Sequence, residues 1–195
     1  FRRNSKRESQ TIITMSIKII DDFANVKEQL EIINYINNNN LLYSFNSTSI
    51  TNKKFMTYNT IDYPQIVHEI IVDDEVYNNV LFSYIYTLLF KHKLSNNFIH
   101  RIKINTTFPY PKNNKKNHGP IHTDISNTNV NGTSIIYYIN NSDGDTLFFD
   151  DKLNVTKRIT PRQGRAIIFD NKIKHTACCP INSTHRQVIN MVLYK

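Results

Sequence analysis

The stretch Ile121-His122-Thr123-Asp124-Ile125 decides how this chain is read. His122 and Asp124 flank a single residue, and in extended backbone side chains two apart leave the same face. An imidazole and a carboxylate are thereby delivered side by side, as two ligands for one divalent metal. The third candidate is His175, 51 residues after Asp124 (175 − 124), just beyond the strand-like run Arg165-Ala-Ile-Ile-Phe169. Two histidines and one carboxylate on one face of a metal leave its remaining positions open. Arg186 opens the apolar run Val188-Ile-Asn-Met-Val-Leu193. A fixed guanidinium there is suited to holding a carboxylate bidentately.

More of the pattern surrounds these residues: Ser134-Ile-Ile-Tyr-Tyr-Ile-Asn140, Gly144-Asp-Thr-Leu-Phe148, and Pro161-Arg-Gln-Gly164 followed by Ile167-Ile-Phe169. With these pieces in this order, the chain from about Arg101 to Lys195 resembles the 2-oxoglutarate- and Fe(II)-dependent dioxygenases, in particular their prolyl-4-hydroxylase-like branch. The resemblance implies a mainly β fold with flanking helices, a double-stranded β-helix or jelly roll. It implies Fe(II) held by His122, Asp124 and His175, with 2-oxoglutarate and O2 as cosubstrates and ascorbate as an accessory reductant. Arg186 takes the place of the family's cosubstrate-binding basic residue. Tyr138 matches a tyrosine that binds the same carboxylate in hypoxia-type prolyl hydroxylases, and Asn190 stands where that group has a cosubstrate-contacting threonine. The tyrosine that group carries upstream of H-x-D has no clean match. Asn105, Thr107 and Tyr110 are the candidates to replace it, and His118 is a further candidate for substrate contact. His185 is assigned to a loop. Gly144-Asp-Thr departs from the family's Gly-Gly-x-Thr, and both Gly144 and Gly164 are read as structural.

With 195 residues, 39% hydrophobic and 11% aromatic, the sequence is expected to fold as one domain over 15–195. Its catalytic core is expected at about 98–195, preceded by a flexible basic tail, 1–14. The net charge is +8, which a solvated basic surface explains and which also admits nucleic acid as a partner. The only cysteines, Cys178 and Cys179, are sequence neighbours and build no disulfide framework; they are expected to be small apolar residues on a buried strand. No apolar run approaches the length of a membrane span and no signal-peptide pattern opens the chain, so an intracellular, cytoplasmic protein is expected. The Asn, Ile, Lys and Tyr bias suggests an AT-rich genome, viral or microbial.

Along the chain, Ser16–Ile20 reads as a strand, and a helix is expected from about Ala24 to Asn37, capped by Asp21 or Asp22, with Val26, Leu30, Ile33 and Ile36 on its buried stripe. Residues 41–72 are ambiguous. A second helix is expected after Asp73-Asp74, whose charges suit the positive end of a helix dipole, running toward Lys93 with Val80, Tyr84 and Leu88 inward. Eight strands follow: Phe98–Thr107, Ile121–Ile125, Thr133–Ile139, Thr146–Phe149, Leu153–Ile159, Arg165–Phe169, His175–Cys179 and Gln187–Tyr194. The polar, basic segment 109–120 leads into the metal motif, as substrate-contacting loops commonly do.

The first functional reading is hydroxylation of an unactivated C–H on a peptidyl residue, proline most obviously, so a protein or peptide is the expected partner. The second is oxidation of nucleic acid or a small metabolite. Repair enzymes of the AlkB type carry a second arginine six residues after the first, where this chain has Val192. The third is a basic jelly-roll binding module without catalysis, against which the full ligand set and Arg186 argue.

Overall fold

The computed structural model describes residues 16–47, 60, 62–110, 118–125 and 129–195. The basic tail and the centre of the 109–120 loop lie outside the described residues. The elements in chain order are β1 (Lys18–Ile20), α1 (Val26–Asn38), β2 (Ser44–Asn46), β3 (Gln65–Val72), β4 (Glu75–Val76), α2 (Asn79–Lys91), β5 (Phe98–Thr107), β6 (Gly132–Tyr138), β7 (Thr146–Phe149), β8 (Val155–Ile159), β9 (Ala166–Asp170), β10 (His175–Ala177) and β11 (Arg186–Tyr194). Two antiparallel sheets form. The larger has the order β1-β9-β6-β11-β5-β3-β2, with β4 paired to β3, and the smaller is β10-β7-β8. This is the expected jelly roll with two helices.

Strand alternation divides the interior in two. Ile102, Ile104, Ile135, Tyr137, Ile189, Met191 and Leu193 leave the large sheet toward the helices and join one apolar cluster with Ile32, Leu81, Ile85 and Leu89. Their sequence neighbours Ile136, Tyr138 and Val188 leave the other face and pack with Phe148, Ile167 and Phe169 between the sheets. Because β6 and β11 are covered on both faces, they read as continuous apolar runs rather than alternating ones. The same alternation turns Arg101, Lys103, Asn105 and Thr107 of β5 to the inner face, where they line a cavity between the sheets. Among the described residues no helix is long and apolar enough to cross a membrane.

The N-terminal half corrects several expectations. Helix α1 is capped by Asn25, not Asp21 or Asp22: its side chain accepts from Glu28 N at 3.0 Å while Glu28 reaches back to Asn25 N, a reciprocal capping box. Its buried residues are Gln29, Ile32 and Ile36, whereas Val26 is 71% exposed and Leu30 50%. Asp73-Asp74 starts no helix. Both residues have positive φ, 47° and 69°, and Val72 pairs with Glu75, so they form the two-residue turn of a β3–β4 hairpin. Asp tolerates the left-handed region that such a turn requires. Helix α2 begins after Asn78, whose side chain accepts from Leu81 N at 3.0 Å. It buries Leu81, Ile85, Leu88 and Leu89, while Val80 faces outward. The ambiguous stretch 41–72 contains the eight-residue strand β3, which pairs with β5.

In the C-terminal half, Phe98–Thr107 and Thr146–Phe149 are strands as expected. Ile121–Ile125 is not a strand: its pairing is a single bridge between His122 and His175. Cys178 and Cys179 are buried but follow β10 rather than belonging to it.

Candidate metal centre

His122 and His175 exchange both backbone hydrogen bonds, His122 N to His175 O at 3.0 Å and the reverse at 2.9 Å. This brings their rings to 4.4 Å between centroids. Each ring is oriented through Nδ1. His122 Nδ1 meets Pro120 O at 3.1 Å and His175 Nδ1 meets Ile173 O at 2.9 Å. A carbonyl only accepts, so both Nδ1 atoms carry the proton and both Nε2 lone pairs are free for a metal. The backbone N–H of Asp124 donates to Asn171 O at 3.1 Å, which sets the carboxylate beside them. One donor atom from each of His122, Asp124 and His175 lies within 4.8 Å of the others, and His175 Nε2 is 3.6 Å from Asp124 Oδ2. Donors sharing one ion at ~2.1 Å sit roughly 3–4 Å apart.

Two further observations test the fit. Asp124 Oδ2 is buried and has no hydrogen-bond partner among the described residues, an arrangement that costs free energy unless a cation completes it. Burial, and then the neighbouring His175, hold the His122 ring below its ordinary pKa, so that it is neutral and able to ligate. Burial would raise the Asp124 carboxyl, but its basic surroundings, His175 first and Arg101 among them, lower it below the ordinary carboxylate range. Two imidazole nitrogens with one carboxylate fit a divalent first-row metal with open positions.

From the metal residues a cavity of about 240 Å³ runs between the sheets. At its far end Arg186 is 3% exposed. Its Nε donates to Gly144 O at 2.8 Å and its Nη2 to Thr146 Oγ1 at 3.0 Å, while Nη1 forms no hydrogen bond among the described residues. The guanidinium carbon lies 5.7 Å from the centre of the Tyr138 ring, and the Tyr138 hydroxyl is 2.7 Å from Thr146 Oγ1. Gly144 fits close against this arginine: a Cβ there would come within 2.7 Å of Cys178 O and 3.0 Å of Arg186 Cδ. A guanidinium locked on one edge and free on the other is a preorganised carboxylate receptor.

Of the expected site residues, Arg186, Asn190, Asn105 and Thr107 line the cavity with the three metal candidates, whereas Tyr138, Tyr110 and His118 do not. Tyr138 meets the arginine from behind, through Thr146. His118 is buried, its Nδ1 bonded to Gly119 O at 2.7 Å and its ring against Phe149. His185 bonds Thr184 at 3.0 Å in a loop. Arg186, Val188 and Asn190 share one face of β11, as alternation requires.

Sequence reasoning passed over four residues here: Tyr63, Arg101, Lys103 and Thr146. Tyr63 lies in the stretch that was ambiguous, and its hydroxyl donates to Ala177 O at 2.9 Å. Arg101 Nη2 is 3.7 Å from Asp124 Oδ1. The signal for Arg101 and Lys103 is the alternation Arg-Ile-Lys-Ile-Asn-Thr-Thr, which places them on the face of Asn105 and Thr107.

Comparison with known proteins decides the class. Residues 109–194 match the family model of the 2OG-Fe(II) oxygenase superfamily. Over this span the chain carries the sequence pattern of that superfamily. Fe(II) and 2-oxoglutarate are accordingly its metal and cosubstrate, and the donor set described above fits both. No curated protein sequence matches the chain. Solved structures share the oxygenase fold at low identity. A Burkholderia pseudomallei oxidoreductase of the 2OG-Fe(II) oxygenase family has a TM-score of 0.69 at 14% identity, over 92% of this chain and 84% of that one. A Trichoplax adhaerens prolyl hydroxylase in complex with a hypoxia inducible factor oxygen degradation domain peptide has a TM-score of 0.60 at 14% identity, over 93% and 84%. A Pseudomonas putida prolyl-4-hydroxylase has 0.59 at 10%, over 93% and 94%. In fold, this oxygenase is prolyl-4-hydroxylase-like.

Proposed function

We propose that this oxygenase hydroxylates an unactivated C–H on a peptidyl residue, with proline the first candidate. The observation that carries the reading is the pairing of the His122–Asp124–His175 cluster with a buried, half-satisfied Arg186 across one cavity. Fe(II) together with 2-oxoglutarate supplies the O2-dependent oxidation. The rest is the work of the chain. The Nδ1–H bonds of the two histidines fix their tautomers and aim Nε2 at the ion. Arg186 binds the distal carboxylate of 2-oxoglutarate through its free edge. Thr146 braces it, and Tyr138 braces Thr146. The side chains of Asn190, Asn105 and Thr107 have polar oxygens that are buried without partners among the described residues, which suits contact with cosubstrate and substrate. The buried walls exclude water from the reacting centre.

The peptide bound to the structurally similar Trichoplax prolyl hydroxylase supports a peptide as substrate here, although one fold hosts many substrates. In this reading, residues 98–195 are the catalytic core and 109–120 contacts the substrate. The test is succinate formation from 2-oxoglutarate by the Fe(II)-loaded chain, with and without a panel of proline-rich peptides. Stimulation by a peptide, with a mass gain of one oxygen on it, is the expected result. Turnover that only nucleic acid or a small metabolite stimulates would overturn the substrate assignment.

A further inference from the structure

The cavity holds more positive charge than the proposed reaction uses. Asp124 belongs to the metal set and Arg186 to the cosubstrate. Two positive charges from Fe(II) and one from Arg186 are balanced by Asp124 and the two carboxylates of 2-oxoglutarate. Arg101 and Lys103 then remain on the same wall, where Asp124 is the one acidic side chain lining the cavity among the described residues and is shared with the metal set. The strand register puts them away from Arg186. On β11, Arg186 pairs with Thr107, Asn190 with Lys103 and Val192 with Arg101. Four residues of strand, roughly 13 Å, therefore separate the Lys103 rung from the Arg186 rung. The pair sits at the metal end, with Arg101 Nη2 3.7 Å from Asp124 Oδ1, beyond the place where the cosubstrate's far carboxylate is held.

Among the described residues Arg101 has Asp124 as its one ion-pair partner and Lys103 has none. Arg101 Nε is buried without a partner, as are the side-chain oxygens of Asn105 and Asn190, which flank Lys103 along the strand and across it. Glu69 is the cross-strand neighbour of Lys103 on β3, but it is exposed and forms no ion pair with it among the described residues. Desolvating an amine beside a guanidinium without a matching anion is unfavourable. A ligand that brings negative charge relieves that cost.

We infer that the substrate carries a carboxylate next to its reacting C–H, as an acidic side chain on a peptide, and that Arg101 and Lys103 receive it. This rests on the peptide reading given above and adds a specificity to it. A carboxylate matches the guanidinium fork, and the neighbouring ammonium adds a point charge. Two cations recessed in a cavity suit one compact anion. A nucleic-acid strand would instead call for a basic stripe along the surface.

The test uses the full chain, loaded without oxygen with Mn(II) and 2-oxoglutarate. The probes are two peptides, Ala-Glu-Pro and Ala-Gln-Pro each repeated four times, and a twelve-nucleotide oligothymidylate as competitor. Dissociation constants are measured for the native chain, Lys103→Met, Lys103→Arg and Lys27→Met. Lys27 is a remote, exposed lysine on α1 that controls for net charge. The native chain is expected to prefer the acidic peptide about tenfold or more, as charged hydrogen bonds allow. Lys27→Met and Lys103→Arg should keep that preference, and Lys103→Met should reduce it to within about twofold. Equal binding of the two peptides by the native chain overturns the inference. So does a preference that survives Lys103→Met, or an oligonucleotide that displaces the acidic peptide at lower concentration than the peptide itself. Binding of 2-oxoglutarate is read separately. If it fails, the oxygenase site assignment falls, while the peptide ratio still judges Arg101 and Lys103 on the metal-free chain.

Discussion

His175 and His122 are held together by a reciprocal pair of backbone hydrogen bonds, 3.0 and 2.9 Å long. The candidate metal centre is therefore built on main-chain geometry, and the side chains can be changed without breaking that bridge. His175→Ala is expected to lower Fe(II) or Mn(II) affinity about 100-fold or more, since even outer-shell changes cost about 10–100-fold. The fold should persist, as read by circular dichroism. Native-chain stability should rise with metal, by about 2.7 kcal/mol at a free concentration 100 times the dissociation constant, and His175→Ala should lose that gain. Metal stabilisation undiminished in the variant would contradict the ligand assignment.

Arg186 donates to Gly144 O and Thr146 Oγ1, which fixes its free edge. Thr146→Val removes one brace and leaves the arginine. The expected effect is an increase of about 10-fold in KM for 2-oxoglutarate, roughly 1.4 kcal/mol, as for one hydrogen bond to a charged group. Steady-state kinetics check this, with peptide KM changing far less.

Gly144→Ala places a Cβ 2.7 Å from Cys178 O and 3.0 Å from Arg186 Cδ. A shift of backbone or arginine must follow, at a cost of about 1–3 kcal/mol by analogy with overpacking. Thermal unfolding should show the loss, and 2-oxoglutarate affinity should fall with it.

Asp143 ties the segment before β7 to the turn before β11, accepting from Ile181 N, Asn182 N and Ser183 N at 2.9–3.2 Å. Burial opposes ionisation, but these bonds outweigh it and bring its pKa down to about 2. Its contribution to stability is complete above the ordinary carboxylate range and disappears as pH falls from about 4 to about 2. Asp143→Asn should flatten that acid limb of the stability curve, measured by urea unfolding between pH 5 and pH 2.

Lys103 is faced by Arg101, Asp124 and Glu69. Burial first, and repulsion from Arg101 second, lower its pKa to about 8, against attraction from Asp124 and Glu69. The ammonium is present below that pH, so the acidic-peptide preference should weaken as pH rises from 7 to 9. The amide peptide should show no matching trend.

The C-terminal half was legible because its signals are short motifs at fixed spacings, although the His122–Asp124 motif sits on a single bridge and not on a strand. That His122, Asp124 and His175 gather at one point, with Arg186 on the same cavity, was readable from spacing and order along the chain. The N-terminal half was harder for physical reasons. Asp73-Asp74 looks like a helix start, yet its left-handed backbone makes a hairpin turn. Val26 and Leu30 carry apolar side chains on the solvent face of α1, so the apolar stripe alone misassigned the buried face of a helix that stands where it was expected. Tyr63 reaches the cavity from a stretch without periodicity. Arg101 and Lys103 alternate with isoleucines, a pattern that suits a half-exposed strand, and only the opposing sheet turns their face into a cavity wall.

The central claim is that the His122–Asp124–His175 cluster and Arg186 jointly hold Fe(II) and 2-oxoglutarate. The most direct measurement is the visible charge-transfer absorption that forms when 2-oxoglutarate chelates Fe(II), titrated without oxygen in the native chain and in Arg186→Lys and His175→Ala. The account predicts a saturable band at one equivalent of iron in the native chain. In Arg186→Lys the band should need about 10-fold or more 2-oxoglutarate, and in His175→Ala it should be missing. An unchanged titration in both variants would contradict the account.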